Sequence, residues 1–215
     1  MSNSLQGKVA LVTGGSRGLG AATARSLADA GAHVAITYVA SADKAAEVVK
    51  ELEDKGMQAA AFQADQAHAA LAPQLIDDVV ARFGGLDIVV NNAGIGVESG
   101  KTIDDPSINT AELDRMHATN YTGVIAIIRA AAKVLRDNGR IISIGSGIGT
   151  RAGTPGFTDY AATKAGLLSI RAPRPVRKTR ADTLSPSNVR RSPTLSPSTP
   201  GPVYEATTTA APSGS

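Results

Sequence analysis

The sequence predicts an α/β protein built on a doubly wound parallel sheet. Short apolar runs rich in β-branched residues recur between amphipathic stretches, and strand and helix patterns alternate five times. The third observation is size: 215 residues suffice for one sizeable core and fall short of two domains of ordinary size. Glycine supplies 22 residues and aromatics only 3% of the chain, the composition of layers whose helices lie close to a sheet.

The strands expected are Val9 to Val12, Val34 to Tyr38, Ala59 to Phe62, Leu86 to Val90 and Ile141 to Ile144, each apolar enough to be covered on both faces. Between them run helical patterns from Gly18 to Ala30, from Ser41 to Lys55 with Ser41 as N-cap, and from Leu71 to Phe83 with Pro73 in its first turn. Two more follow, one long helix from Glu112 to Asp137 and another from Asp159 to Ile170. Right-handed crossovers joining parallel strands place ligands beyond the carboxyl ends of the strands, so the loops after strands are where function is expected.

Several classes of function are set aside by composition. No cysteine is present, which removes disulfides and thiolate chemistry, and His33, His68 and His117 are too scattered to suggest a metal site. No run approaches eighteen apolar residues and Met1 to Gly7 has no apolar signal region, so the expected location is the cytoplasm, with no membrane partner. The net charge of +3 is uneven: residues 171–215 hold seven Lys or Arg against two acidic residues, leaving the remainder at −2. The basic surplus thus belongs to the C-terminal stretch, and no nucleic-acid partner is expected for the folded part.

The first strand runs into Thr13-Gly14-Gly15-Ser16-Arg17-Gly18-Leu19-Gly20, and a helix pattern follows at once. In that context Gly14 permits a tight turn, Gly18 lets the backbone approach a pyrophosphate, and Gly20 allows close packing. The helix start offers free N–H groups and a positive dipole end. A carboxylate ending the second strand would favour the free 2′-hydroxyl of NAD. Here that strand ends Thr37-Tyr38-Val39-Ala40-Ser41, with Arg17 in the loop and Lys44 beyond, which favours NADP over NAD.

Tyr160 and Lys164 stand four residues apart on the last helix pattern and so share a face. A phenol with a pKa near 10 exchanges protons poorly at neutral pH. Lowering it to about 7 takes roughly 4 kcal/mol, which a neighbouring ammonium can help supply. Taken with Thr13-Gly-x-x-x-Gly-x-Gly, Asn91-Asn92-Ala93-Gly94 after a strand, Asn120 in a long helix and Ser146 after the next strand, the order resembles the short-chain dehydrogenase/reductase family, whose sheet is Rossmann-like. The likeness covers about residues 5 to 170. The stretch from Arg140 to Ser146 and from Tyr160 to Leu167 is most similar to bacterial 3-oxoacyl-carrier-protein reductases.

By that resemblance Tyr160 is the general acid or base at the substrate oxygen, Ser146 positions that oxygen, and Lys164 holds the nicotinamide ribose and depresses the tyrosine pKa. Asn120 keeps a water in the relay that resupplies the proton. Asp65 corresponds to the position that meets the adenine, and Asn92, Ala93 and Gly94 to the turn beneath the adenosine. Gln66 replaces the apolar residue more usual after that Asp. In the family the helices holding Asn120 and Tyr160 pair between subunits, which leaves a homo-oligomer open.

After Ile170 the pattern departs from the family, which continues with two further strands. Here Pro173 and Pro175 end the helix early, and of the last 45 residues 8 are Pro, 7 Ser and 7 Thr, a stretch read as disordered. The expected organisation is a catalytic and dinucleotide-binding domain over residues 1–170, truncated after the fifth strand and catalytic helix, and a tail over 171–215. Translation in a shifted frame would produce such a tail, and a genuine segment binding an acidic partner is the alternative. Either way the fifth strand is left as an apolar edge. An inactive nucleotide-binding remnant therefore stands beside the oxidoreductase reading.

Overall fold

A computed structural model describes residues 4–96, 101–150, 155–168 and 170. The chain divides into a first unit, Met1–Val176, and a second, Arg177–Ser215, and the tail expected over residues 171–215 lies outside the described residues. The elements of the first unit are β1 (Val9–Val12), α1 (Gly18–Asp29), β2 (His33–Tyr38), α2 (Ala42–Glu53), β3 (Ala59–Gln63) and α3 (Ala72–Phe83). After them come β4 (Leu86–Asn91), α4 (Thr110–His117), a π turn (Ala118–Thr122), α5 (Gly123–Ala131), β5 (Leu135–Ser143) and α6 (Thr158–Leu168).

The five strands form one sheet in the order β3-β2-β1-β4-β5, every pairing parallel. Alternate residues of β1 serve opposite layers, as the two-residue period of a strand requires. Ala10 and Val12 pack with Ala21, Ala24 and Ala28 of α1 and with Val48 and Leu52 of α2. Val9 and Leu11 pack with Leu75, Ile76 and Val79 of α3 and with Ile127 and Ala131 of α5. The chain order reverses between β1 and β4, so the loops after these two strands diverge and leave a crevice at their carboxyl ends.

A buried carboxylate closes the opposite end of the sheet. Asp87 is 2% exposed and accepts from the Val9 N–H at 3.0 Å, the Lys8 ammonium at 3.0 Å and the Arg136 guanidinium at 3.0 Å. Burial pushes its pKa up, but these three donors outweigh that and hold it below the ordinary carboxylate value.

Three expectations are corrected. The long helix over Glu112–Asp137 stops at Ala131 and is interrupted by the π turn, and the fifth strand starts at Leu135 rather than Ile141. Val134 and Leu135 continue the helical spacing, but sheet pairing wins: Leu135 pairs with Leu86, and Arg136 is drawn to Asp87 and to the Gly84 carbonyl. A bulge then absorbs the extra residues before Arg140 pairs with Ile88, with Asn138 at φ 64° in the left-handed region that Asn tolerates. Finally, Ser41 flanks α2 as expected, yet its side chain makes no capping hydrogen bond.

Candidate active site

The glycine loop is stapled to the loop after β4. Thr13 Oγ1 accepts from the backbone N–H of Asn92 at 3.1 Å and of Ala93 at 3.0 Å, while Asn92 Nδ2 donates to the carbonyls of Thr13 at 2.9 Å and Gly14 at 3.2 Å. From the other side Thr37, buried in β2, accepts from the Gly14 N–H through Oγ1 at 3.0 Å. Gly14 sits at φ 65°, and a Cβ there would stand 3.0 Å from Ala93 Cα. At Gly20 a Cβ would overlap the Gly14 carbonyl oxygen and lie 2.6 Å from Asn92 Nδ2, so that residue is Gly because the helix start lies against its own loop.

Arg17 occupies the N-cap of α1 in extended conformation with no side-chain cap, which leaves the first N–H groups of the helix for an anion. A cleft of about 440 Å³ opens in front of them. It gathers Gly14, Ser16, Arg17, Gly18, Leu19 and Gly20 from the loop and Tyr38 and Ser41 from the end of β2. Asp65, Gln66, Asn92, Ala93 and Gly94 complete its wall. Lys44 is not among its lining residues.

Arg115 and Thr119 also stand on that wall and were not singled out from sequence. Arg115 of α4 pairs with Asp65 at 2.9 Å, and the second Asp65 oxygen accepts from the Ala67 N–H at 3.0 Å. Burial pushes the Asp65 pKa up, and these two partners bring it below its ordinary value. Thr119, in the π turn, offers its carbonyl to Gln66 Nε2 at 2.8 Å, and the same nitrogen reaches the Ala93 carbonyl at 3.2 Å. Arg115 resembles any surface cation of a charged helix, so nothing in the sequence marks it. Thr37 does carry a signal, being a polar residue inside an otherwise apolar strand.

A second cleft, about 630 Å³, shares Leu19, Asn92, Gly94 and Ile95 with the first and is closed by Ile144, Gly145, Phe157, Tyr160 and Lys164. Lys164 is 6% exposed, donates to the Ile144 carbonyl at 3.1 Å and stands 5.7 Å from the centre of the Tyr160 ring. Burial lowers its pKa. Asn120 is fully buried, with Oδ1 accepting from the Ile95 N–H and Nδ2 donating to the Ile95 carbonyl, both at 2.8 Å. Its Nδ2 also approaches Thr163 Oγ1 of α6 at 3.4 Å. A Cβ on Gly94 would fall 3.3 Å from Asn120 Oδ1 and 3.5 Å from Lys164 Nζ, so the two meet across this glycine.

Tyr160, Lys164 and Asn120 are thus brought together around Gly94 and Ile95. Ser146 stands apart: its Oγ accepts from the Ile148 N–H at 3.4 Å, and it does not line the Tyr160 cleft. Among the described residues no cluster of three His, Cys, Asp or Glu could hold a metal, and no helix is long and apolar enough to cross a membrane.

Comparison with known proteins agrees with this geometry. The family model for short chain dehydrogenase matches residues 8–189. A probable tetrahydroxynaphthalene reductase of Zymoseptoria tritici is 42% identical over 163 residues, covering 76% of this chain and 60% of its own length. A 3-oxoacyl-[acyl-carrier-protein] reductase of Staphylococcus aureus is 41% identical over 167 residues, covering 76% and 65%. Among solved structures, a short chain dehydrogenase from Burkholderia cenocepacia in complex with NADP is 47% identical with a TM-score of 0.73, covering 77% of this chain and 66% of that one. A blue fluorescent protein from a metagenomic library, in complex with NADPH, is 43% identical with a TM-score of 0.72, covering the same shares. The chain spans about 60% of the length of the first curated relatives it matches. With its parallel sheet, glycine loop and Tyr160–Lys164 pair in the expected order, the chain belongs to the short-chain dehydrogenase family.

Proposed function

We propose that this chain is an oxidoreductase acting between NADP(H) and a carbonyl or secondary alcohol. The observation that carries the reading is the continuity of the two clefts through Leu19, Asn92, Gly94 and Ile95, which joins an anion-binding helix start to the Tyr160–Lys164 pair. The residues fit a dinucleotide: a Cβ on Gly18 would meet nothing within 4 Å, so the loop leaves room before the α1 start, and Ser16 to Gly20 line the cleft there. When bound, the nicotinamide supplies or accepts the hydride.

In this reading Tyr160 donates a proton to the substrate oxygen in reduction and takes it back in oxidation. Lys164, held by the Ile144 carbonyl beside the Tyr160 ring, binds the ribose and favours the phenolate. Asn120 keeps Ile95 and a relay water in place, and Ser146, which lies outside the Tyr160 cleft with its Oγ on the Ile148 N–H, turns toward that cleft to orient the substrate oxygen. Asp65 meets the adenine, and Arg17, Tyr38 and Ser41 surround the ribose where NADP carries its 2′-phosphate. The absence of a carboxylate from Thr37 to Ser41 supports NADP, as do the relatives solved with NADP and NADPH. Self-association through the Asn120 and Tyr160 helices belongs to the same reading, since Tyr121 and Leu168 are 41% and 56% exposed there.

A thermal melt of the full chain with excess NADPH or NADH tests it. At a hundred times its dissociation constant a ligand adds about 2.7 kcal/mol. A transition raised more by NADPH than by NADH, with NADPH consumed when a carbonyl substrate is added, is the expected result. A second reading, nucleotide binding without turnover, draws on the place of Ser146 outside the Tyr160 cleft. A raised melt without NADPH consumption across a panel of aldehydes, ketones and 3-oxoacyl thioesters would favour it.

A further inference from the structure

Gln66 follows Asp65 where the family more usually has an apolar residue, and its amide joins two turns of the site. Nε2 donates at once to the Thr119 carbonyl at 2.8 Å and the Ala93 carbonyl at 3.2 Å. Ala93 and Thr119 both line the first cleft, Ala93 in the turn after β4 and Thr119 in the π turn, immediately before Asn120. Both partners are acceptors, which fixes the nitrogen on that side. Oε1 is buried without a hydrogen-bond partner, so the amide is held by its donor bonds alone.

The π turn is shaped to receive this side chain. Gly123 N–H reaches back five residues to the Ala118 carbonyl, which opens the helical ladder locally. A Cβ at Gly123 would overlap the Gln66 carbonyl oxygen and lie 2.7 Å from Gln66 Cγ, so the two backbones approach here because residue 123 is Gly. On its far side the same turn presents Asn120 to both polar atoms of Ile95 and to Thr163.

We propose that Gln66 is a positioning residue that couples the cofactor cleft to Asn120. Its amide holds the Ala93 turn and the Asn120 turn at one spacing, so a nucleotide settling against Ala93 and Gly94 also fixes the Asn120 side chain on Ile95. The coupling rests on the proposed cofactor site.

Hydrogen–deuterium exchange on the full chain, with and without NADPH, tests it in Gln66→Met, which keeps length and loses the donor. Without ligand, the Ile95 N–H and peptides across 118–123 exchange about tenfold faster than in wild type, the scale of one lost hydrogen bond. Amides of β1 are unchanged, which separates a lost tether from a lost fold. With NADPH, wild type slows at both 14–20 and 118–123, whereas Gln66→Met slows at 14–20 alone. In Gln66→Glu a carboxylate faces two carbonyl oxygens, so protection at 118–123 returns as falling pH restores a proton that can be donated, a rescue that packing alone would not give.

Equal protection of 118–123 by NADPH in wild type and Gln66→Met overturns the coupling, as does a Gln66→Glu response indifferent to pH. If NADPH slows no peptide of the wild-type chain, the cofactor site itself falls and the coupling with it. The ligand-free comparison at Ile95 then still decides whether Gln66 positions the Asn120 turn.

Discussion

Strands β1 and β4 are buried at every residue, whereas β5, paired to β4, has only half-buried and exposed positions and leaves Ile142 49% exposed. The first two carry the loops that frame the nucleotide crevice, and β5 leads to Ser146. Under the proposed function, the contrast separates a binding half whose geometry is enforced by packing on both faces from a chemical half that follows a strand with one neighbour among the described residues. Stability and cofactor affinity are accordingly expected to report on the first half, and turnover on the second.

The sharpest test of that separation is Tyr160→Phe. In the proposed mechanism it lowers kcat for carbonyl reduction by roughly a thousandfold and leaves the NADPH-induced rise in melting temperature intact. A parallel loss of NADPH binding would show that the halves are not separable. Leu11→Ala comes next. This side chain is fully buried in β1, and its truncation is expected to lower unfolding free energy by about 3 kcal/mol in a denaturant titration.

Asp87 links the halves at the far end of the sheet, since Arg136 enters β5 while Lys8 and Val9 open β1. Its folded pKa is depressed, so its contribution is present above the ordinary carboxylate pKa and lost as pH falls through the lower folded value. Asp87→Asn is expected to cost roughly 2 kcal/mol at pH 7, less than a fully enclosed pair because both cations are partly exposed. It should also flatten the acid limb of stability against pH below about 4. An unaltered acid limb would remove Asp87 as its cause. Smallest of all, Ile142→Ala should change stability by less than about 0.5 kcal/mol. A loss as large as that of Leu11→Ala would mean that the outer face of β5 is covered, and the contrast with β1 would disappear.

The same contrast marks where sequence reasoning succeeds. Val9–Val12, His33–Tyr38 and Leu86–Asn91 are legible because strands covered on both faces read as short, mostly apolar runs, and the glycine loop is legible because its spacing encodes a backbone shape. Tyr160 and Lys164 are legible through helical spacing. The start of β5 is not, because Val134 and Leu135 satisfy a helix period and only the distant partners Leu86 and Asp87 make them part of a strand. The π turn is hidden for a related reason. Ala118 to Thr122 fits a helix locally, and its widening is visible only against Gln66 and Gly123, which lie more than fifty residues apart in the chain. Arg115 likewise depends on a tertiary neighbour, Asp65.

The staple between Thr13 and the Asn92–Ala93 turn has a kinetic meaning. Fixing the backbone of a loop residue takes on the order of 1–2 kcal/mol of entropy, and here that ordering is completed during folding by four hydrogen bonds, before any nucleotide arrives. A nucleotide would therefore meet a mould already set, and its association would not wait on loop closure. Thr13→Val would remove the two bonds made by Oγ1 and keep those from Asn92 to the backbone, loosening the staple while leaving contacts to the phosphates in place, so its signature would be a reduced association rate with little change in how long the complex lasts.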